Sequence, residues 1–160
     1  MIGFERMPDG RVAVELAREE RDLLAQLVGQ LPTVLDGGRD DPAVARLLPD
    51  AHRHDAAASE EFRELTERSL VDGKRADAVR VGAALARVGD TVRGGSRVEL
   101  DDELVISWLR TLTDLRLVVA SRLGIEHDDD AGAPDEGMRM VYDWLGYLQE
   151  SLLHAIDDPA

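Results

Sequence analysis

One charged side chain is expected to lie within the apolar face of a central helix. The segment from Leu104 to Leu123 has helical periodicity, and Arg116 falls inside its apolar sector, between Leu123 and Leu109. A buried guanidinium is costly unless a carboxylate or carbonyl groups meet it. We therefore favour an arginine that fixes how two helices pack, and the alternative is an arginine that anchors a small anionic ligand.

Glu20 is the predicted partner of Arg116. Each is the single long charged side chain within the apolar sector of its helix, and their opposite charges favour an ion pair. The alternative for Glu20 is an interaction with the N-terminus of its own helix, where a first-turn carboxylate is stabilising. Asp114 is instead predicted on the solvated side of the central helix, together with Arg110.

Two tryptophans complete this set of candidate residues. Trp108 and Trp144 lie in the apolar sectors of two predicted helices, and we expect them to pack against each other in the core. Met140 is predicted to point into the same apolar face as Trp144. The residues assigned a structural or ligand-binding role are Arg116, Glu20, Trp108, Asp114, Arg122 and Trp144.

Two histidine clusters have the composition of metal sites but not the spacing. His52 and His54 lie in a predicted loop, and His127 precedes three aspartates without the alternating ligands and internal glycine of a calcium loop. We interpret both clusters as solvated surface and predict no metal. The sequence also lacks a nucleophile elbow, a P-loop and a dinucleotide-binding glycine motif. We therefore predict no enzymatic activity and no cofactor.

The predicted helix from Leu70 to Val88 holds the one candidate nucleic-acid footprint in the sequence. Its cations do not share a narrow stripe, and no aromatic residue lies among them for base stacking. We interpret them as a solvated face; contact with an acidic protein surface and a helix-turn-helix drawn through Ser59 to Arg87 are the alternatives. The residues of this basic face are Lys74, Arg75, Arg80 and Arg87.

The elements that position these residues are predicted to be mainly helical. A β-hairpin is expected over residues 1–16, around the turn Pro8-Asp9-Gly10, and a short strand over 97–99. Residues 50–58 are expected to be loop, and 126–136 an acidic, mobile linker. Helices are predicted over 18–31 (bent or ended by Pro32), 42–48 (capped by Asp41), from Ser59, over 70–88 after a restart at Thr66, over 101–123 and over 137–156.

The composition indicates one globular domain. The chain has 160 residues, 44% of them hydrophobic and 4% aromatic, so aliphatic side chains must build the core. It contains no cysteine, no run long enough to span a membrane and no signal peptide, so we expect a cytoplasmic protein. The net charge of −14 disfavours direct binding to DNA and favours a basic protein partner.

The two tryptophan segments resemble a known family. The run WLRTLTDLRLVVASRLGI at 108–125 looks like the signature of an actinobacterial domain family of unknown function, also called the AosR-like oxidative-stress regulators. The run YDWLGYLQ at 142–149 is similar to its second signature. The pattern of Leu16, Glu20 and Leu23-Leu24 and the run Leu65-Thr66-Glu67 also fit, so the resemblance covers nearly the full length.

This resemblance implies a regulator rather than an enzyme. The family's described role is redox-responsive control of transcription, exerted with a stress sigma factor on cysteine biosynthesis genes. Its genes tend to lie beside protease-adaptor and sulfur-transfer genes. Redox sensing in the family is ascribed to cysteines, and this chain has none, so that step has no counterpart among these residues.

The sequence thus predicts a single-domain helical bundle around the helix Trp108–Leu123, fronted by a small N-terminal hairpin. The function expected from the resemblance is that of a non-enzymatic cytoplasmic regulator whose partner is a sigma factor or RNA polymerase. The alternatives are an adaptor linked to regulated proteolysis or sulfur transfer, and a small-anion-binding domain that uses Arg116. A homodimer is compatible with each of these.

Overall fold

The computed structural model of the chain is mainly helical, as predicted, with one small sheet. It describes residues 3–48, 60–89, 91, 94–126, 132 and 134–157. The strands are β1 (Phe4–Arg6), β2 (Val12–Leu16) and β3 (Ser96–Leu100). The helices are α1 (Arg18–Leu35), a 3-10 turn (Gly38–Asp40), α2 (Pro42–Leu47), α3 (Glu60–Arg87), α4 (Asp102–Leu123) and α5 (Glu136–Asp157).

The predicted hairpin is confirmed and gains a third strand. β1 pairs antiparallel with β2, and the turn uses Gly10 at φ 90°, a conformation that L-residues with a side chain rarely adopt. β3 pairs antiparallel with the other edge of β2, with Val14 opposite Val98. The strand indicated over 97–99 therefore joins the hairpin in one sheet of order β1-β2-β3.

Helix α1 runs past the predicted end at Leu31 and through Pro32 to Leu35. The prediction failed because Leu24, Val28, Leu31 and Leu35 are buried on one face. Burial of this face holds the last turn in place although proline supplies no hydrogen-bond donor there.

Helix α3 is one continuous helix of 28 residues, where the sequence predicted a restart at Thr66. The Thr66 hydroxyl donates to the Phe62 carbonyl at 2.9 Å, one turn back, and does not cap a new helix. The buried residues of α3 all lie in its C-terminal part, from Asp77 to Leu85. Its N-terminal half is therefore exposed, apart from side chains that are half-buried.

Helix α4 is the centre of the fold, as predicted, and packs against α2, α3 and α5. Asp101 caps it by accepting from the Leu104 amide at 2.8 Å, and Gly124 ends it at φ 72°. Its buried sector differs from the apolar sector predicted from periodicity: Ile106 and Leu117, which periodicity places in that sector, are exposed. The small polar residues Ser107 and Thr111 are buried in their place, because α3 covers that side.

Several predictions fall on residues outside the described part of the chain. These are His52, His54 and His127 with its aspartates, the loop 50–58, the cap Ser59 and most of the acidic segment 126–136. None of the described helices is long and apolar enough to cross a membrane.

Candidate functional site

Arg116 lies at the contact between α4 and α5. Its guanidinium carbon is 4.6 Å from the centre of the Tyr142 ring, and this ring is buried. Gly146 leaves the space that the guanidinium occupies, since a Cβ at this position would lie 3.1 Å from Arg116 Nε. Arg116 is half-buried, so it contributes to helix packing through its planar face as well as through its charge.

The predicted Arg116–Glu20 ion pair is wrong. Glu20 Oε1 accepts a hydrogen bond of 2.8 Å from the Ala17 amide, at the start of α1. The alternative interpretation of Glu20 is thus confirmed: the carboxylate satisfies a free amide of its own helix terminus, and the partner it needs is local.

The predicted contact between the two tryptophans is also wrong. The Trp108 ring is fully buried and makes an edge-to-face contact with Phe4 of β1, with ring centres 5.8 Å apart and planes at 80°. Trp144 lies on α5, partly buried against the core. Met140, predicted to point into the same apolar face, is 71% exposed.

Arg122 joins the end of α4 to the start of α2. Two guanidinium nitrogens donate to the two carboxylate oxygens of Asp41, at 2.9 and 2.8 Å. Asp41 also caps α2 by accepting from the Ala43 amide at 2.9 Å, as its position before a proline predicts. The hydrogen bonds from Arg122 and then from Ala43 lower the pKa of the Asp41 carboxyl.

Asp114, predicted on the solvated side of α4, is buried against α3. Lys74 Nζ donates to Asp114 Oδ1 at 2.8 Å, and both side chains are largely shielded from solvent. Desolvation raises the pKa of the Asp114 carboxyl, although Lys74 opposes that shift. The prediction failed because the face bearing Asp114 is solvated only in an isolated helix, and α3 covers it here.

A second buried carboxylate lies beside this pair. Asp77 of α3 accepts from the Ser107 hydroxyl at 2.9 Å and from Arg80 Nη1 at 3.1 Å. Arg110 Nη1 lies 3.7 Å from the other oxygen of Asp77, and the Arg110 side chain remains 66% exposed. We call these residues the α3–α4 polar cluster: Lys74, Asp77, Arg80, Ser107, Arg110 and Asp114.

The sequence did contain a signal for this cluster. Asp77 adjoins a helical stripe of apolar residues, Ala78, Val81 and Leu85, and a charge beside an apolar stripe is also what singled out Arg116. On α4, Ser107, Thr111 and Asp114 are spaced i, i+4 and i+7 and so share one face. A stripe of small polar residues on a central helix indicates a buried polar contact.

The predicted basic face is largely neutralised by carboxylates. Lys74 and Arg80 belong to the α3–α4 polar cluster, and Arg75 Nη2 donates to Asp36 Oδ1 at 2.8 Å. Arg87 lies exposed in the last turn of α3. The four cations therefore do not form a continuous basic surface in the described part of the chain.

A groove of about 810 Å³ opens directly above the cluster. Its lining is apolar on the α3 side, where Leu65 is 56% exposed. Phe62, three residues earlier on α3 and outside the lining, is 63% exposed. The floor of the groove carries the charges of Lys74 and Asp77, and Arg110 of α4 lies opposite. The lining residues are Leu65, Thr66, Ser69, Leu70, Gly73, Lys74, Asp77 and Arg110.

This groove has the features of a surface that binds a side chain or a short helix. Exposed aliphatic and aromatic groups contribute apolar area, and the exposed guanidinium of Arg110 offers donors to a carboxylate or a carbonyl. Among the described residues, no group of three or more acidic, histidine or cysteine side chains is placed to hold a metal ion.

Comparison with known proteins gives one family and no individual relative. Neither the curated proteins nor the solved structures contain a match to the chain. A family model matches residues 1–156, which is nearly the whole chain and includes both tryptophan helices and the α3–α4 polar cluster. The chain therefore belongs to the family described as a domain of unknown function, DUF2017.

Proposed function

We propose that this protein is a non-enzymatic cytoplasmic regulator that acts by binding a protein partner along the groove between α3 and α4. The observation that carries this proposal is the exposed apolar surface on the N-terminal half of α3. Large apolar side chains on an otherwise charged helix are typical of interaction sites. Leu65 lines the groove, and Phe62 lies three residues before it on the same helix; both side chains are exposed.

Ion pairs near the middle of α3 join it to the end of α1 and to the 3-10 turn. Arg39 of the 3-10 turn pairs with Glu67, and Arg75 pairs with Asp36 at the end of α1. A surface held before binding loses less conformational freedom in a complex. These contacts support a docking role for a helix that contributes few residues to the core over its first three turns.

The charge of the chain favours a basic partner. The net charge of −14 attracts basic surfaces and repels nucleic acid. Long-range electrostatic attraction therefore favours association with a basic protein. The resemblance to the AosR-like regulators suggests a sigma factor or RNA polymerase as that partner. Since the chain has no cysteine, any response to oxidants in this member depends on the partner or on another residue type.

The test is an affinity purification of the tagged protein from its own host, before and after peroxide treatment. Wild-type protein is compared with Leu65→Asp, which places a charge in the groove. Val79→Asp is the matched control, because Val79 is 61% exposed on the same helix, and about 20 Å away from Leu65 along its axis. Mass spectrometry identifies the recovered proteins.

Recovery of a sigma factor or RNA polymerase with wild-type protein and the control, and its loss with Leu65→Asp, is the expected result. A peroxide-dependent change in that recovery supports the redox-responsive role. Recovery of protease adaptors or sulfur-transfer proteins, unchanged by peroxide, overturns that role and favours the adaptor. Equal recovery with both variants overturns the groove as the binding surface.

A further inference from the structure

The outer edge of β3 carries unpaired main-chain groups in the part of the chain that the structure describes. The sheet order β1-β2-β3 leaves β3 at an edge, and no other described residue makes a backbone hydrogen bond to Arg97 or Glu99. β1, at the other edge, is covered by α5, where Ser151 accepts from the Phe4 amide at 2.6 Å. The edge of β3 is therefore the one suited to pairing.

The hydrogen-bond phase of the sheet shows which residues of β3 face outward. The Met7 amide donates to the Arg11 carbonyl at 2.7 Å, so Met7 and Arg11 form a hydrogen-bonded pair. Such pairs alternate along an antiparallel hairpin, and the next one joins Glu5 to Ala13. The main-chain amide and carbonyl of Ala13 therefore face β1. The main-chain amide and carbonyl of Val14 then face β3, where Val98 is the opposite residue. The amide and carbonyl groups of Arg97 and Glu99 consequently point away from the sheet.

The charges along this edge are self-complementary in one register. Two antiparallel copies of β3 with a two-fold axis at Val98 place Arg97 of each copy opposite Glu99 of the other. Opposite charges at directly facing positions stabilise an antiparallel pair. A shift of two residues in either direction puts two Arg97 or two Glu99 side chains opposite each other, which is unfavourable.

The side chains are accessible for this pairing. The side chains of Arg97 and Glu99 are 42% and 37% exposed, and within one chain Arg97 Nε lies 3.5 Å from Glu99 Oε1, a long contact for an ion pair. Arg97 also lies 3.6 Å from Glu15, and Glu99 accepts from Arg11 at 3.0 Å. Because the contacts of Arg97 are long and solvated, its side chain can exchange them for a contact with a second copy at a small cost in free energy.

We propose that two copies of this chain associate through antiparallel pairing of their β3 edges, which gives a continuous six-stranded sheet. The interface is isologous, with four main-chain hydrogen bonds from Arg97 and Glu99 and two Arg97–Glu99 pairs across the two-fold axis. Ser96, Val98 and Leu100 are already buried within each copy, so the interface gains little apolar area. The dimer is accordingly reversible and concentration-dependent.

The test is sedimentation velocity and native mass spectrometry over about 1 to 200 µM protein, where a reversible dimer changes its population. Wild-type protein is expected to shift from 17.6 kDa to twice that mass. The single variants Arg97→Glu and Glu99→Arg place like charges opposite each other, and each is expected to weaken the dimer roughly 10-fold. Arg87→Glu, an exposed charge reversal away from the edge, is the control.

The arrangement of charges predicts that dimerisation is restored in two experiments. An equimolar mixture of the Arg97→Glu and Glu99→Arg proteins pairs opposite charges at every position, so a heterodimer forms. The double variant Arg97→Glu/Glu99→Arg exchanges the charges and again dimerises. A wild-type protein that stays monomeric over the whole range, single variants that dimerise as well as wild type, or a mixture without heterodimer overturns the proposal. Circular dichroism establishes that each variant is folded.

Discussion

At the scale of single residues, the Lys74–Asp114 pair is a largely buried ion pair that joins α3 to α4. Both side chains are removed from water, so each depends on the other to offset its desolvation. Asp77 adds a second negative charge nearby and contributes to the raised pKa of Asp114. The pair fixes how α3 lies on α4, because neither charge is tolerated alone at that position.

We expect Lys74→Met to lower the free energy of unfolding by about 3–5 kcal/mol, since it leaves Asp114 buried without its partner. The double variant Lys74→Met/Asp114→Leu is expected to recover most of this loss, because an apolar pair carries no desolvation penalty. Arg75→Met removes the adjacent exposed pair with Asp36 and is the control, with a loss below about 1 kcal/mol. Urea unfolding measures all three, and an equal loss in the single and double variants contradicts the argument.

The pH dependence of the Lys74→Met variant has a definite sign. A carboxyl whose pKa is raised in the folded state binds its proton more tightly there than in the unfolded chain. The free energy of unfolding therefore falls as pH rises from the ordinary aspartate pKa of 3.8 through the raised pKa of Asp114. Without Lys74 that pKa rises further, so the deficit of the single variant against the double variant should shrink as the pH falls from neutrality towards the ordinary pKa of an aspartate. A constant deficit over that range would contradict this assignment.

At the scale of elements, the continuity of α3 is the feature that departs most from the sequence prediction. Two glycines, Gly73 and Gly82, lie inside the helix, and each lowers its intrinsic stability. A Cβ at Gly73 meets no atom within 4 Å, and at Gly82 it meets Val28 Cγ1 at 3.8 Å. Both positions therefore accept a side chain, and tertiary contacts offset the low helix propensity.

We expect Gly73→Ala and Gly82→Ala each to raise the free energy of unfolding by about 0.5–1 kcal/mol, because alanine restricts the unfolded chain and favours the helix. Gly95→Ala is the contrasting variant, since a Cβ there would lie 2.8 Å from the Leu16 carbonyl oxygen. It should lower the melting temperature. Thermal unfolding followed by circular dichroism distinguishes the three, and destabilisation by Gly73→Ala would contradict a continuous α3.

At the scale of the whole molecule, charge decides which partners approach. The chain carries 33 acidic and 19 basic residues, and the cations of the predicted basic face are mostly held by carboxylates. A protein of this kind is repelled by a phosphate backbone unless a basic face stands free of neutralising acids. The same excess of negative charge attracts basic protein surfaces from a distance.

We expect no binding of a fluorescently labelled duplex DNA in anisotropy measurements at about 0.15 M salt and protein concentrations up to about 10 µM. The same measurement at lower salt distinguishes non-specific electrostatic binding of DNA by the few exposed cations from specific binding. Binding that falls steeply with salt and is lost in Arg80→Glu/Arg87→Glu would contradict this expectation and revive the basic face as a DNA contact.

The sequence alone determined the features that depend on neighbours a few residues away. The turn at Gly10, the cap Asp41 and, to within one residue, the bounds of α4 were all predicted. Each is set by hydrogen bonds and backbone conformations within one turn of chain. The first-turn role of Glu20 was predicted only as an alternative, although it too is local.

Only the tertiary structure decided which distant residues meet. Asp114 lies 40 residues from Lys74, and periodicity placed it in solvent because periodicity describes one helix without its neighbours. Tertiary packing also determines three other contacts: Trp108 with Phe4, Arg116 with Tyr142 of α5, and β3 with β2. These choices depend on which helices pack together, and the amino-acid pattern within one segment does not carry that information.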